Sequence, residues 1–374
     1  MERERLRRND VAAPWVGMMN GASTNRIAIV GASSLAGKEL SEVLAESPLA
    51  AGQVVLLDAE GGAGQIVASG EDISVVHKVD EASFDGMDFV FFAGNGDDAV
   101  RYWKAARQAG ASIVDMTGAL TAEPGVIVRA PWLLASDMPT STAESSIEYL
   151  PDLSTPAIVS ANPAAMILAA TARRIGARVP VLLLGATVLV PASEHGRGAM
   201  DELHQQTVSL LSFQGLPREH FDEQAAFNLL PALGESAKVS LDAIQSRISG
   251  EYLALAGPAA PELAIQVAQV PVFHSYALSV LIELSDEVNL LHVEAALRGG
   301  QIDVPGAGAE TPTNIAASGQ AQVLVRVNRA ATDAAQPANR FWLWMTADNL
   351  KLAALNAIAC AGELRRLRPL GKVQ

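Results

Sequence analysis

The sequence predicts an α/β protein: a Rossmann-like, doubly wound parallel sheet first, and a mixed α+β region after it. Three observations predict this. Short apolar strands alternate with amphipathic helices between residues 26 and 115, the pattern of a parallel sheet with helical crossovers. A glycine-rich turn stands where the first of these strands passes into the first helix. Beyond residue 156 the strands lengthen and the strict alternation stops.

Residues 26–31, Arg-Ile-Ala-Ile-Val-Gly, read as a short buried strand ending in glycine. Residues 38–47 have helical spacing, with Leu40, Val43 and Leu44 on one face. A second strand follows at 54–57, punctuated by Gly61-Gly62-Ala63-Gly64, and a third at 88–92. A helix is expected over 99–110 and a fourth strand over 112–115. Residues 124–156 are turn-rich, with Pro131, Pro139, Pro151 and Pro156, and read as a connection between domains. Longer strands are expected over 181–189, 265–272, 278–284 and 322–327, with helices over 199–212 and 235–249. Residues 305–318 read as a surface loop. The last helix, 349–368, ends in Arg365, Arg366 and Arg368, which complement its dipole. The expected division is a disordered tail over 1–25, a nucleotide-binding domain over 26–158 completed by 348–374, and an α+β domain over 159–347.

Composition limits the function classes. The 374 residues carry 41 acidic and 27 basic side chains, a net charge of −14. With no visible basic patch, that charge argues against a nucleic-acid partner. The single cysteine excludes an intramolecular disulfide and a multi-cysteine zinc site. Mean hydropathy is +0.21, yet the most apolar runs, near 181–190 and 353–361, fall short of the roughly 18 residues of a membrane span. The N-terminus has arginines but also Glu2, Glu4 and Asp10 and no apolar core, so it makes a poor signal peptide. A soluble, cytoplasmic protein is expected.

The turn Val30-Gly31-Ala32-Ser33-Ser34-Leu35-Ala36-Gly37 is placed for a dinucleotide pyrophosphate to sit on free amides at a helix N-terminus. Gly31 permits the tight turn and Gly37 close helix–strand packing. Ser34 holds the position of closest phosphate approach, where its Cβ crowds the ligand while its hydroxyl offers a donor. A turn kept for packing alone is the competing reading. Asp58 follows Gly37 by 21 residues at the end of the second strand, the place of an acidic residue that bonds a ribose 2′-hydroxyl and repels a 2′-phosphate. NAD is therefore expected over NADP, if a dinucleotide binds.

In this order the pieces resemble the aspartate-β-semialdehyde dehydrogenase family, and most of all its usg-type paralogues. The resemblance runs from Arg26 to Leu367. It rests on Ile29-Val30-Gly31-Ala32 with Gly37, on Ala161-Asn162-Pro163, on Met200-Asp201-Glu202-Leu203, and on Ala226-Phe227-Asn228-Leu229-Leu230-Pro231. Val270-Pro271-Val272-Phe273, Ala347-Asp348-Asn349-Leu350 and Ala353-Ala354-Leu355-Asn356-Ala357 complete it. It implies that the α+β region is a dimerisation domain and that Gly31, Ser33, Ser34, Leu35, Ala36, Gly37, Asp58 and Asn349 surround a nicotinamide dinucleotide. It also implies a reaction in which a cysteine thiolate attacks an aldehyde or acyl phosphate, a histidine moves protons, and arginines hold the anionic groups.

Those reactive groups are replaced here. The resemblance puts the nucleophile at Ala165, the histidine at Tyr276, the substrate arginine at Gln269 and the phosphate-site arginine at Thr121. The arginine for a nucleotide 2′-phosphate falls at Gly61. Cys360 lies among apolar residues of the last helix and reads as packing. His274 stands two residues before Tyr276 and would share its face in a strand, so it is a candidate substitute. His195, His204 and His220 match no compact metal-ligand spacing, and no metal is expected. Ser193-Glu194-His195 are too close in sequence for a triad, and Ser160 reads as a capping or backbone-bonding residue. Trp342 and Trp344 form one aromatic strand face, read as an interface.

Three functions remain open, one of them a purely structural protein whose glycine turn is a relic. Another is a catalytically degenerate paralogue that acts by dimerising, as a homodimer or as a heterodimer with a related dehydrogenase, and keeps a nucleotide pocket. The third is an NAD-linked oxidoreductase for a different small substrate, without a covalent intermediate and with Tyr276 or His274 as proton donor.

Overall fold

The computed structural model describes residues 25–367 except 48, 50–51, 60, 70–71, 135–149, 259, 307 and 331–336. The expected tail, Pro139 and Arg368 lie outside the described residues.

In chain order the first half comprises β1 (Ile27–Val30), α1 (Leu35–Ala45), β2 (Val54–Asp58), β3 (Ile66–Ser69), β4 (Asp72–Val75), β5 (His77–Lys78) and β6 (Phe89–Phe92). There follow α2 (Gly96–Gln108), β7 (Ser112–Asp115), β8 (Ile127–Arg129), α3 (Pro131–Leu134) and β9 (Ile158–Ser160). Seven of these strands form one sheet in the order β5-β2-β1-β6-β7-β9-β8, with every neighbouring pair parallel. The strands β3 and β4 pair as a separate hairpin. Because the sheet is covered on both faces, β1 is apolar throughout. Ile27 and Ile29 pack with Leu40 and Leu44 of α1, while Ala28 and Val30 pack with Ala99 and Trp103 of α2.

The second half comprises α4 (Pro163–Gly176), β10 (Val181–Val190), α5 (Arg197–Leu211), α6 (Leu241–Ala256), β11 (Glu262–Gln269), β12 (Tyr276–Val288) and α7 (Leu290–Leu297). It continues with β13 (Ile302–Asp303), α8 (Asn314–Ala317), β14 (Val323–Arg329), β15 (Ala338–Ala347) and α9 (Asn349–Leu367). Its sheet is mixed, in the order β11-β10-β12-β15-β14-β13. The inner face, with Leu184, Val188, Leu278, Val280, Ile282, Phe341 and Leu343, is buried, and α4 packs against β10. The outer face carries the rows Gly185, Leu281, Trp342, Asn328 and Thr187, Ser279, Trp344, Arg326 across neighbouring strands. Trp342 is 43% exposed there.

Several expectations shift. The helix expected over 235–249 starts at Leu241, where Ser240 caps it by accepting from Ala243 N. Residues 163–176 form a helix that periodicity does not reveal, since almost every side chain in it is buried and no polar face marks the turns. The helix α9 leaves the second sheet and packs against α1, α3, β7 and β9. Asp348 caps its start by accepting from Leu350 N and Lys351 N at 3.0 Å, and Arg129 holds its far end through a two-point pair with Glu363.

Candidate functional site

The strand order places β1 between β2 and β6, so the chain reverses direction across the sheet at the carboxyl ends of β1 and β6. That crevice is where open α/β sheets bind ligands. Gly31 turns there with φ +84°, and a Cβ on it would come within 2.2 Å of Gly94 Cα. A Cβ on Gly37 would lie 2.2 Å from the Gly31 carbonyl oxygen. Both glycines are therefore required by backbone contact.

A cavity of about 410 Å³ opens at this point. Its floor is Ser34, Leu35 and Ala36 of the first turn, Gly94, Asn95 and Gly96 after β6, Met116 and Thr117 after β7, and Ser160 to Pro163 after β9. The opposite wall is Ser193 to Gly196, Arg247 of α6, and Asn349, Leu350 and Ala353 of α9. The starts of α1, α2 and α4 thus converge on one space, where their free amides and dipoles favour an anion. Leu35 N and Ala36 N have no acceptor among the described residues.

The residues expected at a nucleotide divide into two groups. Ser34, Leu35, Ala36 and Asn349 line the cavity, while Gly31, Ser33, Gly37 and Asp58 build the turn behind it. The Ser34 hydroxyl is engaged within the protein: it accepts from Gly37 N and donates to the Ala93 carbonyl at 2.8 Å. Asp58 is where expected, but its carboxylate already receives Ser33 N at 3.0 Å, the Ser33 hydroxyl, and Ala59 N at 2.8 Å. Asp98, in the first turn of α2, is close enough to Asp58 for the second negative charge to help burial raise its pKa. Gly61 lies in open space on the turn after β2.

None of the four positions to which the resemblance assigns reactive groups is in the cavity lining. Ala165 is fully buried in the first turn of α4, a methyl group where the resemblance calls for a nucleophile. Gln269 is buried and accepts from His195 Nε2 at 2.8 Å. Tyr276 is fully buried and its phenol receives Asn162 Nδ2 at 3.4 Å. Thr121 is exposed and bonds the Gly118 carbonyl, away from the cavity lining. His274 does not share a strand face with Tyr276. Ser275 has φ +73° and β12 begins only at Tyr276, so the i, i+2 relation fails, and His274 is absent from the lining. The histidine that reaches the cavity is His195. Gln269 Nε2 donates to the Val270 carbonyl, which leaves its Oε1 for the ring, so His195 Nε2 carries the proton. Burial lowers the pKa of this ring to about 4.

Two charged residues of the site, Arg247 and Glu251, escape sequence reading, and a third, Glu194, is set aside with Ser193 and His195. Arg247 donates through Nε to Glu251 at 2.8 Å and through Nη2 to the Met116 carbonyl at 3.1 Å, while Nη1 has no acceptor among the described residues. Glu251 is 1% exposed and also accepts Asn162 N at 2.5 Å. The signal was an i, i+4 Arg–Glu pair, hidden because the expected helix ended before Glu251. Glu194 accepts from Asn162 Nδ2 at 2.9 Å and Asn349 Nδ2 at 3.3 Å. Cys360 is fully buried in α9, with its thiol 3.8 Å from the Arg129 carbonyl and its pKa pushed up by burial. Among the described residues, no group of three or more His, Cys, Asp or Glu is placed to hold a metal ion.

Residues 26–146 match the family model described as "Semialdehyde dehydrogenase, NAD binding domain", and residues 186–352 match "Semialdehyde dehydrogenase, dimerisation domain". A Pseudomonas aeruginosa protein named "USG-1 protein homolog" is 33% identical over 342 residues, covering 90% of this chain and 96% of its own. The chain belongs to the aspartate-semialdehyde dehydrogenase family. An aspartate-semialdehyde dehydrogenase of Rickettsia bellii is 27% identical over 345 residues, covering 90% of this chain and 97% of that protein. The solved structure of a probable aspartate-semialdehyde dehydrogenase from Pseudomonas aeruginosa superposes with a TM-score of 0.77 at 29% identity, over 92% of this chain and 99% of that one. This family member therefore carries the NAD binding and dimerisation domains in the family's order. No helix among its described residues is long and apolar enough to cross a membrane.

Proposed function

We propose that this chain is a nucleotide-binding, homodimeric family member that has lost the thiol-dependent dehydrogenase reaction. The single observation that carries the reading is the position of sulfur: the only cysteine of the chain is sealed inside α9, and Ala165 fills the packed start of α4. Acyl transfer through a covalent intermediate needs an accessible, low-pKa thiolate, and burial pushes the Cys360 thiol the other way.

The residues present fit a nicotinamide dinucleotide. Close approach of Gly31 to the Gly94 backbone holds the turn tight behind the cavity, and Leu35 and Ala36, whose amides have no acceptor among the described residues, line it. These amides would hold the pyrophosphate, with Asn95 and Gly96 beyond it. Bound there, the dinucleotide supplies hydride-transfer chemistry. Asp58 and Asp98 place two carboxylates together at the end of β2, and Gly61 offers no cation for a 2′-phosphate, so the reading favours NAD over NADP. Domain limits of 26–158 with 348–374, and of 159–347, suit the way α9 packs back on the first sheet. The outer face of the second sheet, centred on Trp342, Trp344 and Leu281, is the surface we assign to the second copy. A cytoplasmic setting suits the one unpaired cysteine.

The test is phosphate-dependent turnover of aspartate semialdehyde by the purified protein against a tag-only control. The reading expects no rate above that control; a rate above it overturns the reading.

A further inference from the structure

Glu194 has no part in the reading above, yet it is the most deliberately placed carboxyl in the cavity wall. It stands on the 3-10 turn Ala192–His195, directly after β10. Asn162 spends its Oδ1 on Ala164 N at 2.8 Å, so its amide nitrogen must face outward, and it meets Glu194. Asn349 spends its Oδ1 on the Ser193 hydroxyl and Ser275 N, both at 3.1 Å, so its nitrogen also turns to Glu194. The buried Tyr276 phenol, bonded to Asn162, stands beside the same carboxyl. Amide donors from the cap of α4 and the start of α9 therefore fix one carboxyl group at the cavity.

Burial raises the Glu194 pKa, outweighing the nearby Arg247 charge and the neutral side chains of Tyr276, Asn349 and Asn162, which all act to lower it. The guanidinium of Arg247 lines the same cavity, but its Nε is committed to Glu251 and Nη1 alone is left for a ligand. A carboxyl able to exist in either protonation state, beside a cation with a free donor, is the pairing expected for proton exchange with a small anionic molecule.

We propose that the cavity takes a small oxo acid or its hydroxy counterpart, with Arg247 receiving the ligand's carboxylate and Glu194 exchanging a proton with its carbonyl or hydroxyl oxygen. Tyr276, Asn162 and Asn349 are positioning residues. This rests on the nucleotide-binding reading for its redox partner only. A reduced nicotinamide held at the first turn would be the two-electron donor, its hydride going to the carbonyl carbon. As the carbonyl π bond opens, its oxygen takes the Glu194 proton, so an O–H bond forms on the product while that of the carboxyl breaks. The carboxylate left behind is reprotonated from solvent, and the reverse sequence oxidises the hydroxy acid.

The charged and titratable groups around Glu194 are Arg247 and Glu251 from α6, Tyr276 from β12, His195 from its own turn, and Asp115, which faces Arg247. His195 titrates at about 4 and Tyr276 well above 10, so neither changes charge between mildly acid and neutral pH. The probe is oxamate, an unreactive molecule with a carboxylate beside a carbonyl, titrated calorimetrically into NADH-saturated protein at a series of pH values. Binding is expected to weaken about tenfold per pH unit once pH exceeds the folded pKa of Glu194. The Glu194→Gln variant keeps a donor at every pH and is expected to bind without that fall, and Arg247→Met to lose binding. Thermal melts and NADH titrations of both variants check that they fold.

Failure of oxamate to bind protein that does bind NADH overturns the proposal, and so does a pH profile that Glu194→Gln leaves unchanged. If NADH itself does not bind, the nucleotide reading fails instead. The same oxamate series on nucleotide-free protein then decides the role of Glu194.

Discussion

At the scale of single residues, Asp58 has an observed role in the turn and a proposed one toward the nucleotide. It stands where a ribose-binding acid should, but it also clamps Ser33 through backbone and hydroxyl. Neutralising it without removing those acceptor positions separates the roles. An Asp58→Asn variant is expected to gain about tenfold in NADP affinity relative to NAD, near 1.4 kcal/mol, measured by paired calorimetric titrations. His195 provides a pH signature. Its folded pKa of about 4 lies below its ordinary 6.5, so the stability gained from keeping the ring neutral is full above 6.5 and is lost as pH falls through about 4. A His195→Gln variant should therefore lose less stability than the unaltered protein across that window, read from urea unfolding at two pH values. Residues whose role is set by a motif, such as Gly31 and Gly37, were legible in the sequence. Glu194 and Arg247 were not, because their meaning comes from partners that lie 32 and 131 residues away in the chain.

At the scale of elements, the strands of the first sheet could be read because burial on both faces makes them continuous apolar runs. The helices with one wet face could be read from their period. The helix α4 could not, since burial on all sides removes the period itself. The turn between β1 and α1 is the element on which the site depends. A Gly31→Ala variant meets both a positive φ and the Gly94 backbone, and is expected to cost more than about 2 kcal/mol of stability and to abolish nucleotide binding. Chemical denaturation and calorimetry measure the two losses. His274 marks the opposite case. Two residues of spacing suggested a shared strand face, but the left-handed backbone at Ser275 breaks the strand before it starts.

At the scale of the whole molecule, α9 returns from the second sheet to pack on the first, and in doing so brings Asn349 to the cavity. The site therefore draws on both halves of the chain, and its far wall was out of reach of any local pattern. The outer face of the second sheet remains open to a second copy, with Trp342 and Leu281 paired across β15 and β12. A Trp342→Asp variant places a charge in that face and is expected to weaken dimerisation about 100-fold, roughly 3 kcal/mol, as seen by sedimentation. A nicotinamide dinucleotide is expected to bind although no thiol is placed to react with a substrate. Calorimetric titration of the purified protein with NAD, and separately with NADP, is the measurement that decides it. Saturable binding of NAD is expected, with NADP distinctly weaker. Absence of heat with both nucleotides, together with no thermal shift, would contradict it.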